Sequence, residues 1–543
     1  SRRRFHSDAL EMVRRDAFRP CVIAWSLYYE GRGLAGAGDE MHPTLRTLHD
    51  EVAAADPTRP ICTHAGGASM RTDLIDEHRR YVLPEQAREW ASALAGELPP
   101  AGAPRLVSDF GLWGLPAGET SGPEHSFWRD ARWPAHPEES KWPRTAELSF
   151  ERYKLAAVFE DLDNLCKLTQ RRLLRGTKAF IELMRRQGAF AGYVARSLTD
   201  TEWEADGCLD YARNPKLGFE EWAAFNGPIA VFCDIPRHNY WAGETVEATL
   251  YVSNHTVNPL AANLHWGIEG ADCDGELSVE LAAFESKAVG TIRFEAPGFG
   301  RPHPARLVMR LMSDRWELAV NHEELTFTRP EFGRVEGLKV AALHVGDGLR
   351  ERLAAQGFVV ESAWEPGMPI VAGSLEPEVM QALNAGAHVL FLAEAGARTP
   401  NTGFLSFRAL PTGDGIARSS SVHYVQWDLF PQLPLNTIMG WEMEDLFPQH
   451  VIPMGAFGEG TERVISNQAE EDAANVLSGY FEGWLGNFAA SMLLKAFGRG
   501  RLLTTTLRLG TQYGTHPIAT LLLNRLLTQP HLFEPRTVYQ LET

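Results

Sequence analysis

The sequence predicts a multidomain α/β protein with an all-β segment in its middle. Three observations lead there. The chain has 543 residues, too many for one ordinary domain and enough for about three. Its hydrophobic pattern changes period twice, near residue 227 and again near residue 333. Hydrophobic residues make up 44% and charged residues 22%, the balance of a globular chain able to bury several cores.

In residues 1–226, helical and strand patterns alternate. "ALEMVRRDAF" is amphipathic, "CVIAWSL" apolar and β-rich, "TLRTLHDEVAAAD" helical, and "RPICTHAG" strand-like. "RTDLIDEH" and "PRLVSDFG" read as strands, followed by a long helix around "LDNLCKLTQRRLLRGTKAFIELMRRQ" and a last strand in "FAGYVARSLTD". Short buried strands alternating with helices imply a parallel sheet covered by helices. Several of these strands end in polar or glycine-rich loops, as in an α/β barrel whose chemistry sits at strand C-termini.

Residues 227–332 keep strict period two. In "ETVEATLYVSN", Val246, Ala248, Leu250 and Val252 share one face and Thr245, Glu247 and Thr249 the other. "GELSVELAAF", "AVGTIRFEAP" and "ARLVMRLMS" continue the pattern, which describes a β-sandwich of immunoglobulin type. From 333 to 543, "GLKVAALHV", "GLRERLAAQG", "FVVESAW", "EVMQALNAGA" and "HVLFLAEAG" repeat a strand–helix unit. "GRLLTTTLRLG" with "PIATLLLNRLLT" adds one more, giving an open doubly wound α/β domain.

Charge and cysteine usage narrow the function. Lys and Arg total 52 against 70 Asp and Glu, a net charge of −18, which argues against nucleic acid as a partner. No apolar run reaches the roughly 18 residues of a membrane span, so no membrane partner is predicted. The start, "SRRRFHSDALEMVRRDAF", lacks the apolar stretch of a secretion signal and lacks an initiator Met; a processed or cut chain is expected. The six cysteines form no CxxC pair, and Cys21 and Cys62 read as core thiols. His42, His49, His64, His78, His125 and His136 show no metal-ligand spacing, so neither zinc nor another cofactor is predicted. "GRGLAGAG" at 31–38 opens onto no phosphate-binding lysine and reads as a loop over the barrel mouth. "NHT" at 254–256 is a glycosylation sequon without a secretory context.

Two acids stand out. Glu30 follows "CVIAWSLYY" and Asp109 follows "PRLVS", each at the end of a predicted parallel strand. Cleaving a glycosidic bond takes such a pair, one acid to protonate the leaving oxygen and one carboxylate to attack or to activate water. The aromatic setting of Glu30 (Trp25, Tyr28, Tyr29) suits the protonated partner. Residue type alone leaves the bland alternative open, that both are solvated loop acids.

The segment "RRDAFRPCVIAWSLYYEGRG" resembles the acid/base segment of glycoside hydrolase family 2, where a strand ends Trp-Ser-Leu-Gly-Asn-Glu. "AAADPTRPIC" is similar to that family's Asp-Pro-Thr-Arg-Pro step, "RLVSDFG" to its Ser-Glu-Phe-Gly nucleophile strand, and "GYVARSLTDTEWEADGCLDYARNPK" to its last barrel strand and loop. The resemblance implies strands 4–8 of a (β/α)8 TIM barrel and a glycosidase acting on a β-linked carbohydrate. It puts Glu30 on the acid/base, Asp109 on the nucleophile, and Trp203 near the aromatic wall of the sugar subsite, with Tyr28 and Tyr29 also facing substrate. His78 and Glu77, at the end of a predicted strand, are candidates for substrate hydroxyls; the alternative is a surface cluster at a helix start.

Three departures qualify the resemblance. Asp109 replaces the family's glutamate and retracts the carboxylate by about 1.5 Å. Tyr29 stands where an asparagine usually holds the sugar's 2-hydroxyl. Five barrel strands are expected where eight close a barrel, so the chain reads as a C-terminal piece of a longer polypeptide. The alternative function is a catalytically impaired carbohydrate-binding or assembly protein. The last domain resembles the glutamine-amidotransferase-like fold, but no cysteine follows Cys273 to serve as nucleophile. Its segment "NTIMGWEMEDLFPQHVIPMGAFG" reads as core or as the contact of a homo-oligomer.

Overall fold

The structure is a computed structural model that describes residues 2–28, 43–63, 72–80, 84–95, 103–112, 114–116, 144–187, 190–200, 205–314, 316–394, 405–410, 420–454, 474–483 and 485–535. The fold is mixed α/β, with several separate sheets.

Among its described residues the first block carries five short strands, all paired in parallel. β1 (Trp25–Ser26) pairs with β2 (Ile61–Cys62), and β3 (Ile75–Arg80), β4 (Arg105–Gly111) and β5 (Gly192–Tyr193) form a second sheet in that order. Asp73 stitches the two together: its N–H donates to the Ile61 carbonyl and its carboxylate accepts from the Ile61 N–H, both at 2.9 Å. Parallel pairing needs long crossovers, and α1 (Arg2–Asp16), α2 (Pro43–Ala55), α3 (Pro84–Ala95), α4 (Arg144–Arg152), α5 (Ala156–Phe159) and α6 (Leu162–Arg186) lie in these connections or beside them. Val13 of α1 and Leu48 and Val52 of α2 bury Trp25 and Ile61. α6 starts where the Asp161 carboxylate accepts from the Asn164 N–H at 2.7 Å. Its Phe180, Ile181 and Met184 pack on Val107, Phe110 and Leu112.

Two expectations for this block change. The strand predicted over "CVIAWSL" narrows to Trp25–Ser26, because only two residues of it find a sheet partner. Cys21, expected in a core, is exposed, and Ile23 beside it is 80% exposed.

The middle block is two facing sheets, after the short helix α7 (Trp222–Asn226). β6 (Ile229–Asp234), β8 (Thr245–Asn254) and β11 (Glu285–Glu295) make one sheet. β7 (Asn239–Trp241), β9 (Leu260–Ile268), β10 (Asp274–Leu281), β12 (His303–Ser313) and β13 (Trp316–Thr328) make the other. Val246, Ala248, Leu250 and Val252, the face expected from period two, are buried against Leu307, Met309, Leu311 and Phe327 of the opposing sheet.

The described residues of the last block form one ten-stranded mixed sheet. β14 (Lys339–Leu343), β15 (Val359–Glu361), β16 (Ile370–Ala372) and β17 (His388–Leu392) run parallel, alternating with α8 (Asp347–Ala355) and α9 (Pro377–Ala385). β18 (Arg408–Ala409), β19 (Val422–Val425), β20 (His450–Pro453), β21 (Val476–Glu482) and β22 (Asn487–Phe497) extend the sheet in antiparallel fashion, and β23 (Gly500–Thr505) joins the halves, parallel to β17 and antiparallel to β22. The doubly wound expectation describes the parallel half alone. β21 is buried along its whole length, so its apolar run carries no alternation to mark it as a strand. Within the Met- and Phe-rich segment, Met439, Met443, Leu446 and Phe447 are core residues of this block.

α6 joins the three blocks. Lys178 pairs with Glu182 at 3.0 Å and with Glu323 of β13 at 3.2 Å. His238 lies between Glu323 (3.5 Å) and Glu444 (2.6 Å), and Arg88 of α3 reaches Glu444 at 2.8 Å. Trp441 stacks on the His238 ring with centroids 4.2 Å apart. Arg185, buried at the end of α6, donates to the carbonyls of Phe225 and Gly227 at 2.7 and 2.9 Å and to Ser253 Oγ at 3.0 Å.

Two outcomes follow from this junction. Arg185→Met strands buried acceptors and is expected to cost about 3 kcal/mol, read as a fall in the urea midpoint; a lysine, without the fork, recovers little of it. Burial opposes charge on His238, but Glu444 and Glu323 overrule it and raise its pKa to about 9. A raised folded-state value stabilises below the unfolded value near 6.5 and loses that contribution as pH rises through about 9. The thermal midpoint should therefore fall between pH 6.5 and 9, and His238→Gln should flatten that part of the profile.

Candidate active site

β4 is the element that presents Asp109. Register places Glu77 of β3 opposite Val107 and His78 opposite Asp109, so Ser108 is the extra residue of a β-bulge. The bulge lets Val107 and Phe110, an odd number of positions apart, both reach the α6 core. Asp109 is thereby turned to the other side of the sheet, away from α6. It is 2% exposed, and Arg196 Nη1 donates to its Oδ2 at 2.9 Å. A buried carboxylate is costly unless paired, and the guanidinium supplies the opposite charge.

Arg196 is held by the segment that follows β5. Ser197 N–H donates to the Asp206 carbonyl at 3.4 Å, Cys208 N–H to the Ser197 carbonyl at 3.2 Å and Leu209 N–H to the Leu198 carbonyl at 2.9 Å. Asp200 and Lys216, both buried, pair at 2.5 Å beneath this fold of the chain. Burial raises the Asp200 pKa to about 6 against the pull of Lys216. Gly207 donates to the Asp200 carboxylate at 2.9 Å, and a Cβ there would stand 2.4 Å from the Asp200 nitrogen, so this approach admits only glycine. Arg196 also lies 3.9 Å from Asp206.

Beside Asp109 is a polar triplet on the same side of the sheet. Ser108 donates its N–H to Asp76 Oδ1 at 3.0 Å and its hydroxyl to Asp76 Oδ2 at 2.5 Å. His78 Nε2 sits 3.1 Å from Ser108 Oγ and 3.4 Å from Asp76 Oδ2. His78 and Asp109 are direct cross-strand partners. The alternative of a surface cluster at a helix start is overturned, because His78 and Glu77 lie within β3 and the helix begins at Pro84. Glu77 does not join His78. It faces the helices, 3.9 Å from Arg105, whose Nη1 donates to the Leu94 carbonyl at the end of α3. Strand alternation puts neighbours on opposite faces, so Glu77 is removed from the set of substrate contacts.

Tyr28 lies just past β1, half-buried, with its ring edge-on to Phe5 of α1 at 6.5 Å. Glu30, Tyr29, Trp203 and the glycine-rich stretch 31–38 lie outside the described residues. Among the described residues no group of three metal-ligating side chains comes together. Arg196, Asp76 and Ser108 are site residues that sequence reasoning passed over. The signal for Arg196 was its place directly after the last predicted barrel strand, where side chains reach the barrel mouth. The site as described can hold a fixed, charge-compensated carboxylate next to a histidine whose ring nitrogen is oriented by a hydroxyl.

No protein-family model matches the chain, and no curated protein matches it. Among solved structures, the chain is similar to Amycolatopsis orientalis exo-chitosanase CsxA, with 14% identity over 59% of this chain and 38% of that one, at a TM-score of 0.37. It is also similar to Bacteroides uniformis beta-glucuronidase, with 12% identity over 67% of this chain and 42% of that one, at a TM-score of 0.28. The chain thus spans less than half the length of either structure.

Removing one member of the buried pair isolates its function in the fold. Arg196→Gln removes the guanidinium that pairs with the buried Asp109 carboxylate and is expected to cost about 3–5 kcal/mol, measured by urea unfolding. Adding Asp109→Asn to the same chain should restore a large part of that loss, since a neutral amide needs no counter-charge.

Proposed function

We propose that this chain carries the C-terminal part of the catalytic domain of a glycoside hydrolase acting on β-linked sugars, within residues 1–226. On this reading, residues 227–332 form an immunoglobulin-like sandwich, and residues 333–543 an amidotransferase-like α/β domain without a nucleophilic cysteine. Glu30 donates a proton to the leaving glycosidic oxygen as the bond from the anomeric carbon breaks. Asp109 attacks that carbon, or stabilises its positive charge while water attacks. In the first case water then hydrolyses the glycosyl ester, with Glu30 taking the proton; in the second the attacking water gives its proton to a carboxylate, Glu30 on the leaving-group face or Asp109 on the opposite one. Tyr28, Tyr29, His78 and Trp203 contact the sugar.

The observation that supports this most is the setting of Asp109. A carboxylate at the end of a parallel strand, buried, charge-matched by Arg196 and beside His78, is costly to build for folding alone. The four motifs "AWSLYYE", "DPTRPI", "RLVSDFG" and "GYVARSLTD" stand in the order of the family they resemble.

A second reading has its own support. The same ion pair ties up one oxygen of Asp109, and the aspartate is one methylene shorter than the family's glutamate. This is the pattern of a site that binds sugar without turning it over.

Aryl β-glycosides separate the readings. Wild type is expected to release phenol and Glu30→Gln to be at least a hundredfold slower, the scale of lost general-acid catalysis; equal turnover in both removes the catalytic assignment. If the site is impaired only by reach, Asp109→Glu should raise turnover tenfold or more, about 1.4 kcal/mol of barrier. The anomer of the first-formed product, followed by NMR, distinguishes retention from inversion.

A further inference from the structure

Behind β4, on the side away from Asp109, α6 meets the middle and last blocks around a cavity of about 260 Å³. Part of its wall is apolar, with Phe180, Leu183, Ile438 and Phe447. The rest is strongly cationic. Arg88, Arg171, Arg172, Arg175 and Arg186 face three carboxylates, those of Glu182, Asp234 and Glu323.

Ion pairs occupy part of this charge. Arg88 holds Glu444 at 2.8 Å, Arg175 holds Glu324 at 2.9 Å and Arg186 holds Asp234 at 2.9 Å. Arg171 has no carboxylate partner among the described residues and is exposed at the cavity edge. Arg172 adjoins it, and Arg175, one turn further along α6, lies on the same face.

A second observation is independent of the arginines. His423 of β19 lines the cavity from the last block, is 2% exposed, and neither ring nitrogen has a hydrogen-bond partner among the described residues. Buried polar atoms in native proteins are almost always bonded, so two unpartnered nitrogens on one ring at a cavity wall mark a place for ligand atoms. Burial, helped by the charge of Arg172, keeps this imidazole neutral, with its pKa pushed down to about 3. A neutral imidazole offers one donor and one acceptor, which suits a hydroxyl and leaves anion binding to the guanidiniums.

Size sets the rest of the ligand. The volume lies between the roughly 150 Å³ cavity that accepts a benzene ring and the ~300 Å³ at which pockets begin to hold drug-sized molecules. One ring with one anionic group fits this volume. We propose that this junction cavity binds a single-ring organic anion, a carboxylate or a phosphate ester, through the guanidinium of Arg171, with a ring hydroxyl on His423. The site is separate from the glycosidase reading, since β4 stands between them. It touches that region through one contact: Phe180, in its wall, stacks at 4.8 Å on Phe110, the neighbour of Asp109.

Calorimetric titration of the intact chain with glucuronate, glucose 6-phosphate and glucose tests this. One or both anions should bind and raise the unfolding temperature, while glucose does neither; which anion binds tells carboxylate from phosphate ester. Arg171→Ala, a change at an exposed side chain that leaves the core untouched, should weaken binding at least tenfold. His423→Phe should weaken the hydroxylated anions, yet leave cyclohexanecarboxylate, which has no hydroxyl, unaffected. Should His423→Phe not fold, the Arg171 variant decides alone. Asp109→Asn should leave anion affinity unchanged. The proposal is overturned by absence of anion binding at millimolar concentration, by equal binding of glucose, or by affinity that survives Arg171→Ala. Loss of binding in Asp109→Asn alone would place the anion in the candidate active site and overturn it too.

Discussion

A chain of alternating charges running from α6, buried at its centre around His238 and Glu444 and partly exposed at Arg88, governs the architecture. Lys178, Glu323, His238, Glu444 and Arg88 come from five separate stretches of the sequence and alternate in sign from the long helix through the middle block to the last one. Each of these groups would be expensive to bury alone. Together they are tolerated only if every neighbour stands at hydrogen-bonding distance, so the network fixes how the blocks meet and leaves little room for slippage. Hydrophobic contact between the blocks could be satisfied by many arrangements, whereas this order of charges is satisfied by few. The stacking of Trp441 on His238 closes one side of the network to water.

The candidate active site depends on that fixed helix. Because α6 holds Phe110 through Phe180, the bulge at Ser108 sends Asp109 to the opposite side, where Arg196 and His78 are. Once buried, the carboxylate must keep its counter-charge, and the turn around Asp200, Gly207 and Lys216 holds the arginine in place. The same helix carries the arginine face that lines the junction cavity. One element thus supports the sheet on one side and a cationic wall on the other.

Much of the fold is legible in local pattern. The alternation in "TVEATLYVSN" identifies the buried face of β8 because side-chain direction in a strand is set by the backbone alone. Five parallel strands in the first block answer to the five apolar segments read there, although "CVIAWSL" keeps only two residues in a sheet. The antiparallel half of the last sheet escaped notice because β21, "VLSGYFE", is buried on both faces and has no period to read. Asp109 was singled out as an acid closing an apolar run. Adjacency in the sequence makes Glu77 and His78 look like one pair, yet adjacent strand residues point to opposite faces, and of the two His78 lies beside Asp109.

By itself the sequence determined the periods, and through them the strands, the helices and the acids at strand ends. Such features depend on residues within a turn or a strand of one another. Tertiary structure alone decided the partners: Arg196 for Asp109 across 87 residues, Glu444 for His238 across 206, and the open ring of His423 at a wall shared with α6. An ion pair is chosen by distance and dielectric surroundings, and neither exists until the chain has folded and excluded water.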